Sequence, residues 1–274
     1  MYSRAYLEIT NICNKNCSFC HGTKRTPKML SAEEFEIITD KLQGVTEYLY
    51  FHLMGEPLLH PEIERFIKSA TNKGFKVAIT TNGTLLDSQK QMLLSSGVYK
   101  ISISLHSFEQ GSDDEFNNYM NSVIGFVKES SKSGILTVLR LWNNGYDGGK
   151  NVSVLDALKS EIPGEWKQGG KGYRIKSGLH LEFGERFLWP DKNKQDISRK
   201  VFCYGLKDHF GILVDGTVVP CCLDAEGDIP LGNILSEDIN KILSSDRARD
   251  MRRGFMERNP TEKLCRKCGY ATRF

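Results

Sequence analysis

The run Leu7-Glu8-Ile9-Thr10-Asn11-Ile12-Cys13-Asn14-Lys15-Asn16-Cys17-Ser18-Phe19-Cys20 places three cysteines on one short loop directly after a β-type stretch, with no fourth close by. A structural zinc site or an electron-transfer cluster takes four protein ligands. Three thiolates on a loop hold three corners of a 4Fe-4S cube and leave one iron open to a substrate or cofactor. A zinc knuckle or a chance group of buried thiols is the competing reading of the spacing.

Outward from this loop, short β-type runs alternate with longer amphipathic segments from residue 5 to about residue 185, the pattern of a parallel sheet with crossover helices. Strands are expected at Ala5–Thr10, Glu47–Leu53, Lys76–Thr81, Lys100–Leu105, Leu136–Leu141 and Leu179–Phe183. Helices are expected at Ala32–Leu42, Pro61–Lys73, Ser88–Ser96, Asp113–Ser133 and Val152–Glu161, with Ser31 before Glu34 as a capping box. This predicts an α/β fold, a partial (β/α)6 barrel over residues 1–188. Such folds place their sites at the carboxyl ends of the strands, where the cysteine loop lies. Beyond Trp189-Pro190 a smaller unit, 189–274, is expected: a polar linker, a hairpin from Gly211 to Pro220 turning at Asp215-Gly216, a helix near Ser236–Met251 and a basic tail. Gly145–Lys150 and Gly169–Gly172 read as mobile loops, lids or plain connections.

With 274 residues, a net charge of +3 and no Lys/Arg block, the chain requires no large nucleic-acid partner. No apolar run is long enough to span a bilayer and no signal-peptide pattern opens the chain, so no membrane partner and a cytoplasmic location are expected. Eight cysteines in close groups read as metal ligands in a reducing compartment, not as a disulfide framework.

The motif Cys13-x3-Cys17-x2-Cys20, with aromatic Phe19 before the last cysteine, resembles the signature of the radical S-adenosylmethionine (SAM) superfamily. The resemblance implies a 4Fe-4S cluster whose open iron chelates SAM, one-electron cleavage to a 5'-deoxyadenosyl radical, and an electron donor of the flavodoxin or ferredoxin type. Met54-Gly55-Glu56-Pro57 is similar to the family's Gly-Gly-Glu motif, with Met54 in place of the first glycine, and implies contact with the amino group of SAM. On the fourth strand Ser102, Ser104 and His106 share one face. The family sets serines there against SAM, and His106 replaces an aspartate of its relatives. Arg140 on the fifth strand is a candidate for the SAM carboxylate or for an interior ion pair.

Five further cysteines lie in the second unit. Cys203, Cys221, Cys265 and Cys268 resemble the ligand set of a twitch domain, the short form of the SPASM domain, and imply a second, auxiliary 4Fe-4S cluster. Zinc is the competing occupant. Cys222 is expected to be a neighbour, because adjacent strand residues face opposite ways.

Three functions follow. The first is radical chemistry on a polar small molecule: a nucleoside or nucleotide, as in the lyase that releases queuine in queuosine salvage, or an amino sugar, as in aminocyclitol dehydrogenases. The chain opens on the first strand, so an N-terminal peptide-recognition domain is not expected. The second is modification of a peptide or protein side chain. The third is a non-catalytic metal-binding module. Lys24, Arg25 and Lys28 are candidates to hold a substrate phosphate, Trp142, Asn143 and Tyr146 to line the substrate, and His52, His106 and Glu182 to act as acid or base; solvated, packing or structural roles compete for each.

Overall fold

The computed structural model describes residues 1–273. Strand β1 (Tyr2–Leu7) leads into the cysteine loop, and the chain returns through helix α1 (Ala32–Leu42). The Ser31 hydroxyl accepts the Glu34 amide while the Glu34 carboxylate accepts the Ser31 amide, which closes the expected capping box. Then follow β2 (Thr46–Phe51), α2 (Ile63–Asn72), β3 (Lys76–Thr81), α3 (Leu86–Ser95), β4 (Lys100–Ser104), α4 (Asp113–Ser130), β5 (Leu136–Asn144) and α5 (Lys150–Glu161). After them come the short strands β6 (Lys167–Gly169) and β7 (Gly172–Lys176), the longer β8 (Leu179–Glu185), and β9 (His209–Ile212), β10 (Thr217–Val219) and β11 (Gly232–Asn233). Three helices close the chain: α6 (Ile239–Leu243), α7 (Asp246–Met256) and α8 (Lys263–Arg266).

β1, β2, β3, β4, β5 and β8 are parallel neighbours in that order, which is the partial barrel the alternating pattern predicts. The side-chain period of two decides what each face carries. Ala5, Leu7, Leu49, Phe51, Val77, Ile79, Ile101, Ile103 and Leu139 are buried under the helices, where Phe35 and Phe66 stack with ring centres 4.1 Å apart. The intervening residues form the lumen face, and apart from Ala78 and Val138 they are polar or aromatic. Tyr6 pairs in register with Tyr50, Thr80 with Ser102, Ser104 with Arg140 and Arg140 with Glu182.

Several expectations are corrected. Strand β1 ends at Leu7, because Glu8 and Thr10 turn their side chains to loop partners. β4 ends at Ser104, and His106 sits on a 3-10 turn over Leu105–Ser107, not on the strand. The glycine-rich stretch 169–172 is the tight turn of the β6–β7 hairpin, which pairs antiparallel with β8. The second unit joins the barrel through its sheet. β9 lies parallel against β1, so β9, β10 and β11 extend the barrel sheet to 11 strands. The single helix expected over 236–251 is two, because Asp238 and Ser245 each cap a new start.

One buried group holds the sheet extension to the barrel. Glu8, 1% exposed, accepts two hydrogen bonds from the Arg25 guanidinium at 2.6 and 2.7 Å. It also accepts the Val214 amide at 2.9 Å and the Met54 amide at 3.3 Å. Arg25 is completed by its Nε–H to the Ala225 carbonyl at 2.8 Å. Removing either charge strands the other in the interior, at a cost of about 3–5 kcal/mol. Glu8→Ala and Arg25→Ala are therefore both expected to lower the denaturation midpoint of the metal-free protein by that order, far beyond Lys68→Ala at an exposed pair. Midpoints that match the exposed control would refute the clamp.

Candidate active site

The cysteine loop lies over the strand exits and is held by side chains from several elements. Asn82, at the end of β3, donates to the Asn14 side chain at 2.8 Å and approaches the Cys13 sulfur at 3.9 Å. The Cys17 thiol points to the Ser107 carbonyl, and the Glu109 carboxylate accepts the Ser18 amide at 2.6 Å and its hydroxyl. The Phe19 ring rests on His106 with centres 4.6 Å apart. Cys13 and Cys20 are exposed and Cys17 is half-buried. Burial, then Glu109 and the neighbouring thiols, push the Cys17 thiol up to about 12. A metal would reverse this, because metal binding expels the proton.

The Met54–Glu56 turn follows β2. Gly55 has φ +77°, and a methyl group there would run into the Thr10 carbonyl. Only glycine lets this turn pass under the cysteine loop. Glu56 is buried, and its carboxylate accepts the Asn82 amide at 2.7 Å and the Leu58 amide at 3.1 Å. Its carboxylate thus ties the β2 exit to the β3 exit and is not open to the lumen, which corrects the expected contact with an ammonium group. The backbone of the turn remains for that contact.

Across the lumen Ser104, Arg140 and Glu182 stand side by side on β4, β5 and β8. Arg140 lies over the Trp142 ring at 4.7 Å, and its buried Nε has no hydrogen-bond partner among the described residues. Buried donors are nearly always paired, so this guanidinium is shaped for a group the chain itself does not supply. Burial lowers the pKa of Arg140 and Glu182 opposes that shift. Ser102 is buried one row below. His106 Nδ1 makes its shorter contact with the Arg140 carbonyl, 3.0 Å, so it donates there and leaves Nε2 as an acceptor.

Beside this row a cavity of about 750 Å³ opens between the exits of β5 and β8, the β6–β7 hairpin and the carboxyl-terminal turn. Trp142, Glu182, Tyr173, Tyr270 and Arg273 line it together with the glycine turn. Tyr173, Tyr270 and Arg273 were not singled out in the sequence. Long-range folding brings them here, and no local pattern marks them.

Other candidates are corrected. Arg25 is held by Glu8 and is not open to a substrate phosphate; Lys28 pairs with Glu34 at 2.6 Å at the surface, and Lys24 stays exposed. Asn143 points away from Trp142 and exchanges hydrogen bonds with Asn151 at 3.0 and 3.2 Å. Tyr146 is exposed, with the Arg186 guanidinium over its ring.

In the second unit Cys203, Cys221, Cys265 and Cys268 line one small cavity, walled by Pro190, Val201, Ile229, Phe255 and Leu264. Cys222 faces the other way, against Leu53, Leu213, Val219 and Tyr6. Burial raises all of these thiols, Cys221 and Cys265 most strongly and Cys222 to about 12. Four thiols around an apolar space fit a fully ligated iron-sulfur cluster, and three on the amino-terminal loop fit one with an open corner.

Comparison with known proteins agrees with this geometry. Residues 7–159 match the Radical SAM superfamily, and residues 203–269 match the SPASM iron-sulfur cluster-binding domain. A probable GTP 3',8-cyclase of Sulfurisphaera tokodaii is 31% identical over 165 residues, 55% of this chain and 49% of that one. The chain thus spans about half the length of that relative. The sporulation killing factor maturation protein SkfB of Bacillus subtilis is 24% identical over 273 residues, 88% of this chain and 64% of that one. The crystal structure of BtrN in complex with AdoMet and 2-DOIA superposes with a TM-score of 0.62 at 17% identity, covering 98% of this chain and 93% of that one. That likeness supports the fold. No helix among the described residues is long and apolar enough to cross a membrane.

The lumen also fixes a pH response. His52 stands at the exit of β2, its ring 5.9 Å from that of Tyr6. Burial, helped by the Arg140 charge, lowers its pKa to about 4. Above pH 6.5 both folded and unfolded forms are neutral. As pH falls the unfolded form takes the proton first, so stability is lost between about 6.5 and 4 and levels off below. His52→Gln is expected to flatten that decline by about 3 kcal/mol in denaturant titrations of the metal-free protein. A pH profile unchanged by the substitution would contradict this assignment.

Proposed function

Because this chain belongs to the Radical SAM superfamily and carries a SPASM domain, we propose that it cleaves SAM reductively and removes a hydrogen atom from a polar small molecule. Its cofactors are a SAM-binding 4Fe-4S cluster, SAM and an auxiliary cluster. In this reading Cys13, Cys17 and Cys20 hold the first cluster, and Cys203, Cys221, Cys265 and Cys268 hold the second. Residues 1–188 form the catalytic barrel and 189–274 the auxiliary unit. When bound, cluster and SAM supply a 5'-deoxyadenosyl radical at the mouth of the lumen. The protein's own part is to orient. The turn at Gly55 offers backbone to the SAM amino group, Ser104 and Arg140 face its carboxylate, and Trp142 and Glu182 hold the substrate.

The observation that carries the substrate class is the cavity beside Arg140. At about 750 Å³ it falls in the range that accepts one small ligand, roughly 300–1,000 Å³. Its lining joins an aromatic wall to a carboxylate and an arginine, which suits a ring bearing hydroxyl, amino or phosphate groups. A nucleoside or nucleotide, as in a queuosine-type lyase, or an amino sugar, as in a dehydrogenase, meets that description. A cytoplasmic setting with a flavodoxin- or ferredoxin-type donor accords with eight free cysteines. Peptide or protein side-chain modification is the second reading, favoured by the SkfB match across 88% of the chain.

Protein purified without oxygen is expected to hold about eight irons and to form 5'-deoxyadenosine from SAM and dithionite. Alanine at Cys13, Cys17 and Cys20 should abolish cleavage and spare the second cluster. Alanine at Cys265 and Cys268 should remove about half the iron. Cleavage that survives the first change, or iron that survives the second, would refute the respective ligand set. In a substrate screen, nucleotides or amino sugars should stimulate 5'-deoxyadenosine formation, and Trp142→Ala should cut that stimulation about tenfold or more, the loss of one well-packed aromatic contact. Stimulation by peptides alone would move the assignment to the second reading.

A further inference from the structure

Two separate cysteine sets in one chain raise the question of what joins them. The segment Arg186–Trp189, which leaves β8, touches both. On one side the Trp189 Nε1–H donates to the carbonyl of Phe19, next to Cys20, at 2.9 Å, and the indole stacks on His21. Arg186 donates to the Ser18 hydroxyl at 3.3 Å and to Glu109 at 3.2 Å, and its guanidinium covers the Phe19 ring. On the other side the amide of Gly269, next to Cys268, donates to the Leu188 carbonyl at 3.0 Å. A side chain at Gly269 would meet Leu188 backbone and Cβ atoms at 2.9 Å, so the two stretches touch with no room between. Arg273 donates to the carbonyls of Glu185 and Arg186 at 2.6 and 3.3 Å.

We propose that Arg186–Trp189 is a positioning strap, through which the auxiliary-cluster turn at residues 268–273 sets the order of the SAM-cluster loop at residues 17–21. The inference rests on reading both cysteine sets as ligand sets. The loop has no helix or strand of its own; apart from the Cys20 amide donating to the Cys17 carbonyl at 3.1 Å, its geometry leans on side-chain ties from outside. The strap supplies the ties next to Cys20, and Arg25 supplies a second link to the same unit through Ala225. A cluster loop held this way keeps its open corner facing one direction only while the far side of the strap is anchored. Trp189 and Arg186 act through the loop and need not touch SAM or substrate.

The test uses the loaded protein and two mild variants, one on each side of the strap. Trp189→Phe keeps a ring and loses the indole hydrogen bond. Arg273→Gln removes one bond to the strap, at Arg186, and one to Glu185 just before it, without touching a cysteine. Hydrogen exchange at the Ser18 and Cys20 amides and the electron paramagnetic resonance spectrum of the reduced SAM cluster are read for each. Both variants are expected to raise exchange at those amides about fivefold, the worth of one ordinary hydrogen bond, and to broaden the spectrum obtained on adding SAM. Iron content and global melting should stay unchanged. If only Trp189→Phe loosens the loop, the strap is a local brace and the coupling is refuted; if neither does, the strap is refuted altogether. Iron content and 5'-deoxyadenosine formation by the unaltered protein report separately on the underlying cluster reading.

Discussion

Glu8 sits at the end of β1 with almost no exposed surface and takes hydrogen bonds from Arg25, Met54 and Val214. Those donors come from the cysteine loop, the Met54–Glu56 turn and the hairpin that extends the sheet. A buried carboxylate is tolerated only where its charge is matched and its lone pairs are filled, and here both conditions are met only when all of these segments are in place. The requirement acts as a constraint on assembly: the barrel mouth and the auxiliary unit are built around one charge. The pairing of β9 with β1 follows from the same arrangement, since Val214 lies just past β9.

The lumen obeys a different rule. Its helix-facing side is a conventional apolar core, but the inner side carries Tyr6, Tyr50, Ser102, Ser104, Arg140 and Glu182, and the chain does not satisfy all of them. Arg140 is the clearest case. It has a ring to lie on and a carboxylate beside it in register, yet its Nε is left without a partner. An unpaired buried donor costs roughly 1–3 kcal/mol. Such a cost persists where a bound group offsets it, so the polar row belongs to a binding surface more than to a folding core.

Much of this was legible in the sequence because it is local. The cysteine spacing, the Ser31–Glu34 capping box, the alternation on β4 and the six parallel strands are all set by residues a few positions apart. The opposite facing of Cys221 and Cys222 agrees with the expectation from strand alternation, although both lie just past the end of β10. What sequence reading missed depends on contacts between distant residues. Arg25 reads as a phosphate ligand until Glu8 is seen 2.6 Å away, and Asn143 reads as a cavity residue until Asn151 claims it. Gly169–Gly172 reads as a mobile loop, lid or plain connection, because nothing nearby reveals the hairpin's pairing with β8.

The auxiliary unit brings these threads together. Four thiols ring an apolar cavity, and burial holds each of them in its protonated form. Thiolates there are unfavourable until iron compensates the charge, so loading the site and ordering the walls around it are one thermodynamic event. Those walls include Pro190, immediately after Trp189, and Ala271, between Tyr270 and Arg273. Tyr270 and Arg273 in turn line the cavity beside Arg140. The four-thiol site and the cavity beside Arg140 therefore share a wall. Loading the four-thiol site thus bears on the shape of that neighbouring cavity.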